Sequence, residues 1–174
     1  MTVIARTKLG RNTRAVGTIR FSKDGEYFFC TDKHNDSNVY CFKSADASLV
    51  GQNKCGSDPV FDAESGNGNT FGVATKRGMW FFEWTGQELD KKKGLYNGNP
   101  RHSMITATFN CETNCYYSGS SKGYIFQWNG NSCTKSAGMH QGSVRGLNWA
   151  NGCLLSSGSR DKCIKVSKDF EVLH

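Results

Sequence analysis

The stretch Met139–Val166, which reads MHQGSVRGLNWANGCLLSSGSRDKCIKV, decides the fold. Residues 143–149 and 153–159 are short runs in which apolar and small polar residues mix, and Asn151-Gly152 separates them. Asn-Gly between two such runs is a strong signal of a β-hairpin. A polar turn at 160–162 leads into a third run at 163–166. The stretch therefore predicts three antiparallel strands joined by tight turns.

The same arrangement recurs three times upstream. The third strands end at Phe42, Phe82, Trp128 and Ser167, so the repeats are separated by 40, 46 and 39 residues. A period of about 40–45 residues with four strands in each unit is the signature of a β-propeller. No segment has a sustained apolar period of 3.6 residues, so we expect almost no helix.

We therefore predict an all-β fold, a partial propeller of about four four-stranded antiparallel blades. The predicted blades span approximately 15–53, 58–90, 103–138 and 140–174, and residues 2–8 are predicted to form an extra outer strand. Four blades leave two apolar flanks open, so two chains pairing through these flanks is a further hypothesis.

The aromatic run Trp80–Trp84 has two interpretations. It resembles a base-stacking platform for nucleic acid. Alternation along a strand instead places Met79, Phe81 and Glu83 on one face, with Trp80, Phe82 and Trp84 on the other. We favour packing of both faces against neighbouring blades, as strands covered on two sides are apolar throughout.

The composition limits which partners, cellular location and metal chemistry can be expected. Charged residues make up 21% of the 174 residues and the net charge is +7, which favours partners that carry negative charge. The sequence shows no secretory signal and no apolar stretch long enough to cross a membrane, so we expect a cytoplasmic protein whose eight cysteines are free thiols. Cys111 and Cys115 lack a second pair at zinc-binding spacing, so neither a metal nor a cofactor is predicted.

The last unit resembles a WD repeat, with His140 before the first strand, Ser157 in the second and Asp161 in the following turn. In that family, His, Ser or Thr, Asp and Trp form a buried hydrogen-bond network within each blade. The resemblance implies such a network at the following residues: His140, Ser157 and Asp161 in the last unit, and Ser118 and Trp128 in the third. Ser167 and Lys122 depart from the pattern, at the Trp place of the last unit and the Asp place of the third.

A succession of motifs is similar to the echinoderm microtubule-associated protein-like (EML) family. They are Phe21–Gly25, Asp58–Glu64, Trp80–Gly86, Leu89–Tyr96 and His140–Val144. The resemblance implies association with tubulin or microtubules and a cytoskeletal location. EML proteins have two joined propellers, so we expect this chain to be about four blades of the first one, within a longer protein.

We predict a non-catalytic scaffold that binds tubulin or microtubules through basic residues on its surface. The candidate residues are Lys33, Lys76, Arg77, Lys91, Lys92, Lys93, Arg101 and Arg160. Residues 91–93 are expected on a solvated turn. The alternatives are a protein–protein adaptor without tubulin affinity and, more weakly, an RNA-binding propeller, for which no RNA-binding motif is present.

One motif points to catalysis. Gly119-Ser120-Ser121-Lys122-Gly123 matches the G-x-S-x-G nucleophile elbow, which requires a strand before it and a helix after it. The following residues 124–128 are predicted to form a strand. We therefore interpret the motif as a blade turn and do not predict an enzyme.

Overall fold

A computed structural model describes residues 5–9, 13–33 and 36–173. The chain forms four antiparallel sheets of four strands, each built from consecutive strands in chain order. The first blade contains β1 (Val16–Phe21), β2 (Tyr27–Asp32), β3 (Ser37–Lys43) and β4 (Leu49–Gly56). The second contains β5 (Val60–Ser65), β6 (Thr70–Thr75), β7 (Gly78–Trp84) and β8 (Leu89–Lys93).

The remaining two sheets have the same topology. The third blade contains β9 (Met104–Asn110), β10 (Cys115–Ser120), β11 (Tyr124–Asn129) and β12 (Ser132–Gly138). The fourth contains β13 (Val144–Ala150), β14 (Cys153–Gly158), β15 (Ile164–Lys168) and β16 (Glu171–Val172). The first strands of successive blades are neighbours, so β1, β5, β9 and β13 form the inner wall. The predicted partial propeller of four antiparallel blades is confirmed.

The hairpin turns follow from local sequence. Asn151 and Gly152 form the two-residue loop between β13 and β14, with φ of 52° and 74°. Positive φ at both central positions defines a type I′ turn, whose twist matches that of the flanking strands. This is the Asn-Gly signal read from the sequence.

The pairing of second and third strands gives each blade the same register. Phe42, Phe82, Trp128 and Ser167 lie opposite Phe28, Phe71, Tyr116 and Leu154, respectively. The four third-strand residues are all buried. They occupy equivalent positions, as the repeat spacing predicted.

The core lies between the blades. Met79 and Phe81 pack with residues of the third blade, whereas Phe82 and Trp84 pack with residues of the first. Half-buried Trp80 contacts the same side as Phe82. The alternation predicted for β7 is therefore present, and it packs the second blade against both of its neighbours.

Residues 91–93 are not a turn, because they form the last part of β8, where their backbone pairs with Trp80–Phe82. Their side chains are exposed because β8 is the outer strand of its blade. Of the proposed outer strand 2–8, residues 2–4 lie outside the described part of the chain and residues 5–8 are not in a strand.

The topology gives the molecule two distinct ends. The connector end carries the turns between second and third strands and the links between blades, at the described residues 33, 36, 57–59, 76–77, 94–103, 121–123, 139–143 and 159–163. The hairpin end carries the turns between first and second and between third and fourth strands, at 22–26, 44–48, 66–69, 85–88, 111–114, 130–131, 151–152 and 169–170. Second and fourth strands run parallel to each other, so their carboxyl ends all reach the connector end.

Candidate functional site

A polar network closes the connector end of the fourth blade. The Nδ1 atom of His140 lies 2.9 Å from the Oδ2 atom of Asp161, and its Nε2 atom lies 2.8 Å from the Ser156 hydroxyl. The His140 side chain is fully buried. The backbone N–H of Gln141 also donates to Asp161, at 3.1 Å. The imidazole is thus held at both nitrogens, which satisfies polar groups that would be costly to bury alone.

The serine of this network is Ser156 and not the predicted Ser157. Adjacent residues of a strand point to opposite faces, so Ser157 instead accepts a hydrogen bond from the Gly146 N–H at 3.0 Å. The Ser-Gly-Ser sequences at 118–120 in the third blade and 157–159 in the fourth therefore do not occupy equivalent positions. By register, Ser118 corresponds to Ser156, because the segment between the paired residues Ser157 and Ile164 is one residue longer than that between Gly119 and Ile125.

Gly158 makes room for the His140–Asp161 pair. A Cβ atom at position 158 would lie 2.1 Å from the Oδ1 atom of Asp161 and 2.6 Å from the Nδ1 atom of His140. Burial opposes ionisation of Asp161. Hydrogen bonds from His140 and from the N–H groups of Gln141 and Cys163 outweigh that effect and hold the pKa of the carboxyl below its ordinary value.

The third blade uses a different network. The Trp128 indole N–H donates to the Ser118 hydroxyl at 2.8 Å, and that hydroxyl donates to the Met104 sulfur at 3.3 Å. The structure thus brings the predicted Ser118 and Trp128 together. Ser118 thus binds a thioether, whereas the equivalent Ser156 of the fourth blade binds an imidazole.

His102 lies on the link just before β9 of the third blade, and the sequence patterns did not single it out. Its Nδ1 atom lies 3.3 Å from the Ser120 hydroxyl, and its ring packs edge-on against Tyr124 and Phe126. Burial, with the nearby Lys122 charge, lowers the pKa of His102 below its ordinary value. A histidine shortly before a first strand was the available signal, as for His140.

The last residue of each second strand explains why the blades differ. These equivalent residues are Asp32, Thr75, Ser120 and Gly158. The first three close their turns with a side-chain oxygen: Asp32 binds the Asn38 N–H at 2.8 Å, Thr75 donates to Gly78 O at 2.9 Å, and Ser120 binds the Tyr124 N–H at 3.1 Å. The fourth lacks a side chain there, and Asp161 takes over that role from the turn.

Most candidate basic residues lie at the connector end. Lys33, Lys76, Arg77, Arg101 and Arg160 are exposed on its turns and links. The remaining three lie on β8. Lys91 and Lys93 place their ammonium groups 5.6 and 5.7 Å from the Trp80 ring centre, while Lys92 projects to the opposite side, beside Tyr116.

Charge is divided between the two ends. Among the described residues, the exposed basic residues on connector-end turns are Lys33, Lys76, Arg77, Arg101, Lys122, Arg160 and Lys162. Two carboxylates of that end are engaged, Asp58 with Arg77 and Asp161 with His140, and a third acidic residue, Asp36, is exposed there. Hairpin-end turns carry the exposed acidic residues Asp24, Glu26, Asp46, Glu88, Glu112 and Asp169, against one exposed basic residue, Lys23, among those described. Hydrogen bonds from Ser22 and Ser48 lower the pKa values of Asp24 and Asp46, which favours their charged forms.

Residues 131–166 match the family model described as "WD domain, G-beta repeat". The match begins at β12, the outer strand of the third blade, and ends in β15 of the fourth. The matched repeat therefore spans parts of two neighbouring blades. The chain is a partial β-propeller that contains a WD repeat.

The propeller is similar to several curated proteins. It is 26% identical over 163 residues to the ciliary WD repeat-containing protein ctxp80 of Euplotoides octocarinatus. It is 26% and 28% identical to the echinoderm microtubule-associated protein-like 1 and 2 proteins of Rattus norvegicus. These matches cover 88% to 95% of this chain but only 22% to 25% of the relatives. The resemblance to EML proteins is confirmed as similarity over nearly the whole chain.

Solved structures show the same fold. The Cps50 (Swd1) β-propeller domain of Myceliophteria thermophila superposes with a TM-score of 0.72 at 14% identity, over 90% of this chain and 55% of that one. The computationally designed Ika4 protein superposes with a TM-score of 0.72 at 17% identity, over 97% and 98% of the two chains. At these identities the likeness concerns the fold alone.

Other sequence motifs of the propeller lack the geometry that their chemistry requires. Gly119–Gly123 joins β10 directly to β11, so it is a strand–turn–strand and not the strand–turn–helix of a nucleophile elbow. The described residues contain no group of three metal-binding side chains. Cys111 is exposed and Cys115 is buried, and both are free thiols.

Within the described ranges there is no helix long and apolar enough to span a membrane.

Proposed function

We propose that this propeller is a protein-interaction scaffold that associates with tubulin or microtubules through its connector end. The observation that carries the proposal is the separation of charge between the two ends. A rigid surface with exposed Lys33, Lys76 and Arg160 attracts an acidic protein surface, and the acidic hairpin end is repelled by it. Docking would therefore have a preferred orientation.

Similarity supports this choice of partner. The names of two relatives describe them as microtubule-associated protein-like, and a third is described as ciliary. A cytoskeletal location and a non-catalytic role follow from the same proposal.

Co-sedimentation with polymerised microtubules over a series of salt concentrations tests the proposal. Binding that depends on exposed charges weakens as salt rises, because the screening length shrinks. Replacing Lys33, Lys76 and Arg160 together with glutamine should reduce the bound fraction. Replacing Lys43 and Lys168, exposed at the hairpin end, should leave it unchanged.

Two outcomes would contradict the proposal. Absence of binding at low salt rules out microtubule association and favours an adaptor that uses other protein partners. Equal loss of binding in the two sets of variants shows that net charge matters and that the connector end does not. Melting temperatures of all variants are compared first, so that a folding defect is not mistaken for a binding defect.

A further inference from the structure

A cavity of about 280 Å³ opens at the connector end where the second blade passes into the third. Three basic residues line it, Arg77, Lys93 and Arg101, together with the connector residues Leu95 and Tyr96. No acidic residue belongs to its lining. Asp58, which is not part of the lining, pairs with the Nε atom of Arg77 at 3.2 Å. A guanidinium has five N–H donors, so this ion pair leaves the others of Arg77 available.

The other two cations are held against aromatic rings. The Arg101 guanidinium carbon lies 5.7 Å from the centre of the Tyr96 ring, and the Lys93 ammonium lies 5.7 Å from that of Trp80. A ring face attracts a cation through its quadrupole. The cations are therefore positioned while their N–H groups stay free to donate to an incoming carboxylate.

The floor of the cavity is rigid. The Gly94 N–H donates to Met79 O at 2.9 Å, and the Leu95 N–H donates to Asn131 O at 2.8 Å. A Cβ atom at Gly94 would lie 2.9 Å from the Trp128 ring and 3.1 Å from Met79 O. The connector is thus clamped between two blades. Little ordering is required when a ligand binds, which favours affinity.

The surroundings of the Tyr96 and Trp80 rings favour one class of ligand over another. Tyr96 is buried beneath Arg101, and half-buried Trp80 is covered by Lys91 and Lys93. Neither ring face is free to stack on a nucleic-acid base. Leu95, by contrast, is 53% exposed at the rim and offers an apolar contact. A peptide in which glutamates or aspartates flank an apolar residue fits these features.

We infer that this cavity, named here the connector pocket (Arg77, Lys93, Leu95, Tyr96 and Arg101), is a docking site for an acidic peptide segment of a protein partner. Carboxylates bind Arg101 and the free N–H groups of Arg77, with Lys93 as a third cation, and an apolar side chain lies on Leu95. The inference rests on the proposed function in that it assigns the acidic partner to one pocket.

The test measures fluorescence anisotropy of a labelled glutamate-rich peptide that contains one leucine. Binding is expected to weaken roughly tenfold in the double variant Lys93→Gln and Arg101→Gln, as expected when two charge-assisted contacts are lost. Arg101→Lys keeps the charge but loses the planar fork, and should bind with intermediate affinity. The charge-matched control is Lys43→Gln with Lys168→Gln, which should bind like the parent.

Three results would overturn the inference: equal binding by the double variant, equal binding of a lysine-rich peptide, or tighter binding of a uridine oligonucleotide than of the acidic peptide. Microtubule co-sedimentation of the same double variant separates this inference from the proposed function. Unchanged co-sedimentation rules out the connector pocket as the microtubule-binding site but leaves the rest of the connector end as a candidate. If the double variant loses peptide binding and the parent protein does not bind microtubules, the proposed function is wrong but the assignment of the pocket stands.

Discussion

At the scale of single residues, the space above Gly158 determines how the fourth blade closes its turn. The first three blades fill the equivalent position with Asp32, Thr75 and Ser120, whose oxygens bind the turn directly. In the fourth blade that space holds the His140–Asp161 pair. The network and the glycine therefore depend on each other.

Gly158→Ala should destabilise the fold. The new methyl group would meet Asp161 and His140 at distances that no real Cβ shows, so one of them must move. We expect a cost of about 1–3 kcal/mol in unfolding free energy, typical of overpacking, and a similar loss for His140→Ala, which leaves Ser156 without its partner. Chemical denaturation measures both.

Gly138→Ala is the matched control, because its Cβ would lie at least 3.6 Å from every neighbour. If Gly158→Ala and His140→Ala both leave the unfolding free energy unchanged, the hydrogen-bond network around His140 does not contribute to stability.

His102 should make stability depend on pH. Its folded pKa lies below the ordinary value of 6.5, since burial and Lys122 disfavour the protonated ring. The unfolded chain then binds the proton more readily. Stability from this group is fully present above pH 6.5 and is lost as the pH falls from there through the folded pKa.

We expect His102→Gln, which retains a hydrogen-bonding group for Ser120, to flatten the decline of Tm below pH 6.5. Lys122→Gln should flatten it in part, because it removes the second cause. A decline that is the same in all three proteins contradicts this assignment.

At the scale of the element, β7 shows how alternation builds a propeller. Phe81 contacts Tyr116 and Trp128 of the third blade, while Phe82 and Trp84 belong to the cluster shared with the first. A single strand thus supplies the core on both sides. The outer strand β8 has no such partner on its outer edge, which is why residues 91–93 carry charge within a strand.

Phe82→Ala should cost about 3–5 kcal/mol, because it removes a fully buried ring between two blades. Phe61→Ala on the inner wall, where the ring is 46% exposed, should change stability by less than about 1 kcal/mol. Urea denaturation of both variants provides the comparison. Equal losses would mean that burial in β7 does not decide stability.

At the scale of the whole molecule, the ends differ in charge and the two terminal blades expose apolar flanks. On the first blade, Ile19 and Phe21 are 51% and 62% exposed, and on the fourth, Ile164 is 74% exposed. Leu9 packs near Phe28 and Phe42 and covers part of the first flank. No further blade covers these flanks within residues 5–9, 13–33 and 36–173.

Pairing of two chains through these flanks stays a prediction. Static light scattering should return twice the mass of one chain, and Ile164→Asp should return the mass of one, because a buried unpaired carboxylate disfavours the interface. Leu95→Asp, at the connector end, serves as the control and should remain paired. A single-chain mass for the parent protein contradicts the pairing.

The sequence by itself determined the architecture, because strand alternation, Asn-Gly turns and a repeat near 40 residues are local properties that the chain carries in its order. It also located His140, Asp161, Ser118 and Trp128. Only the tertiary structure decided that Ser156 replaces Ser157, since one extra residue between the paired residues of β14 and β15 shifts the register without changing the motif. It likewise decided that Arg77, Lys93 and Arg101 share one pocket, because residues distant in sequence meet only when blades pack.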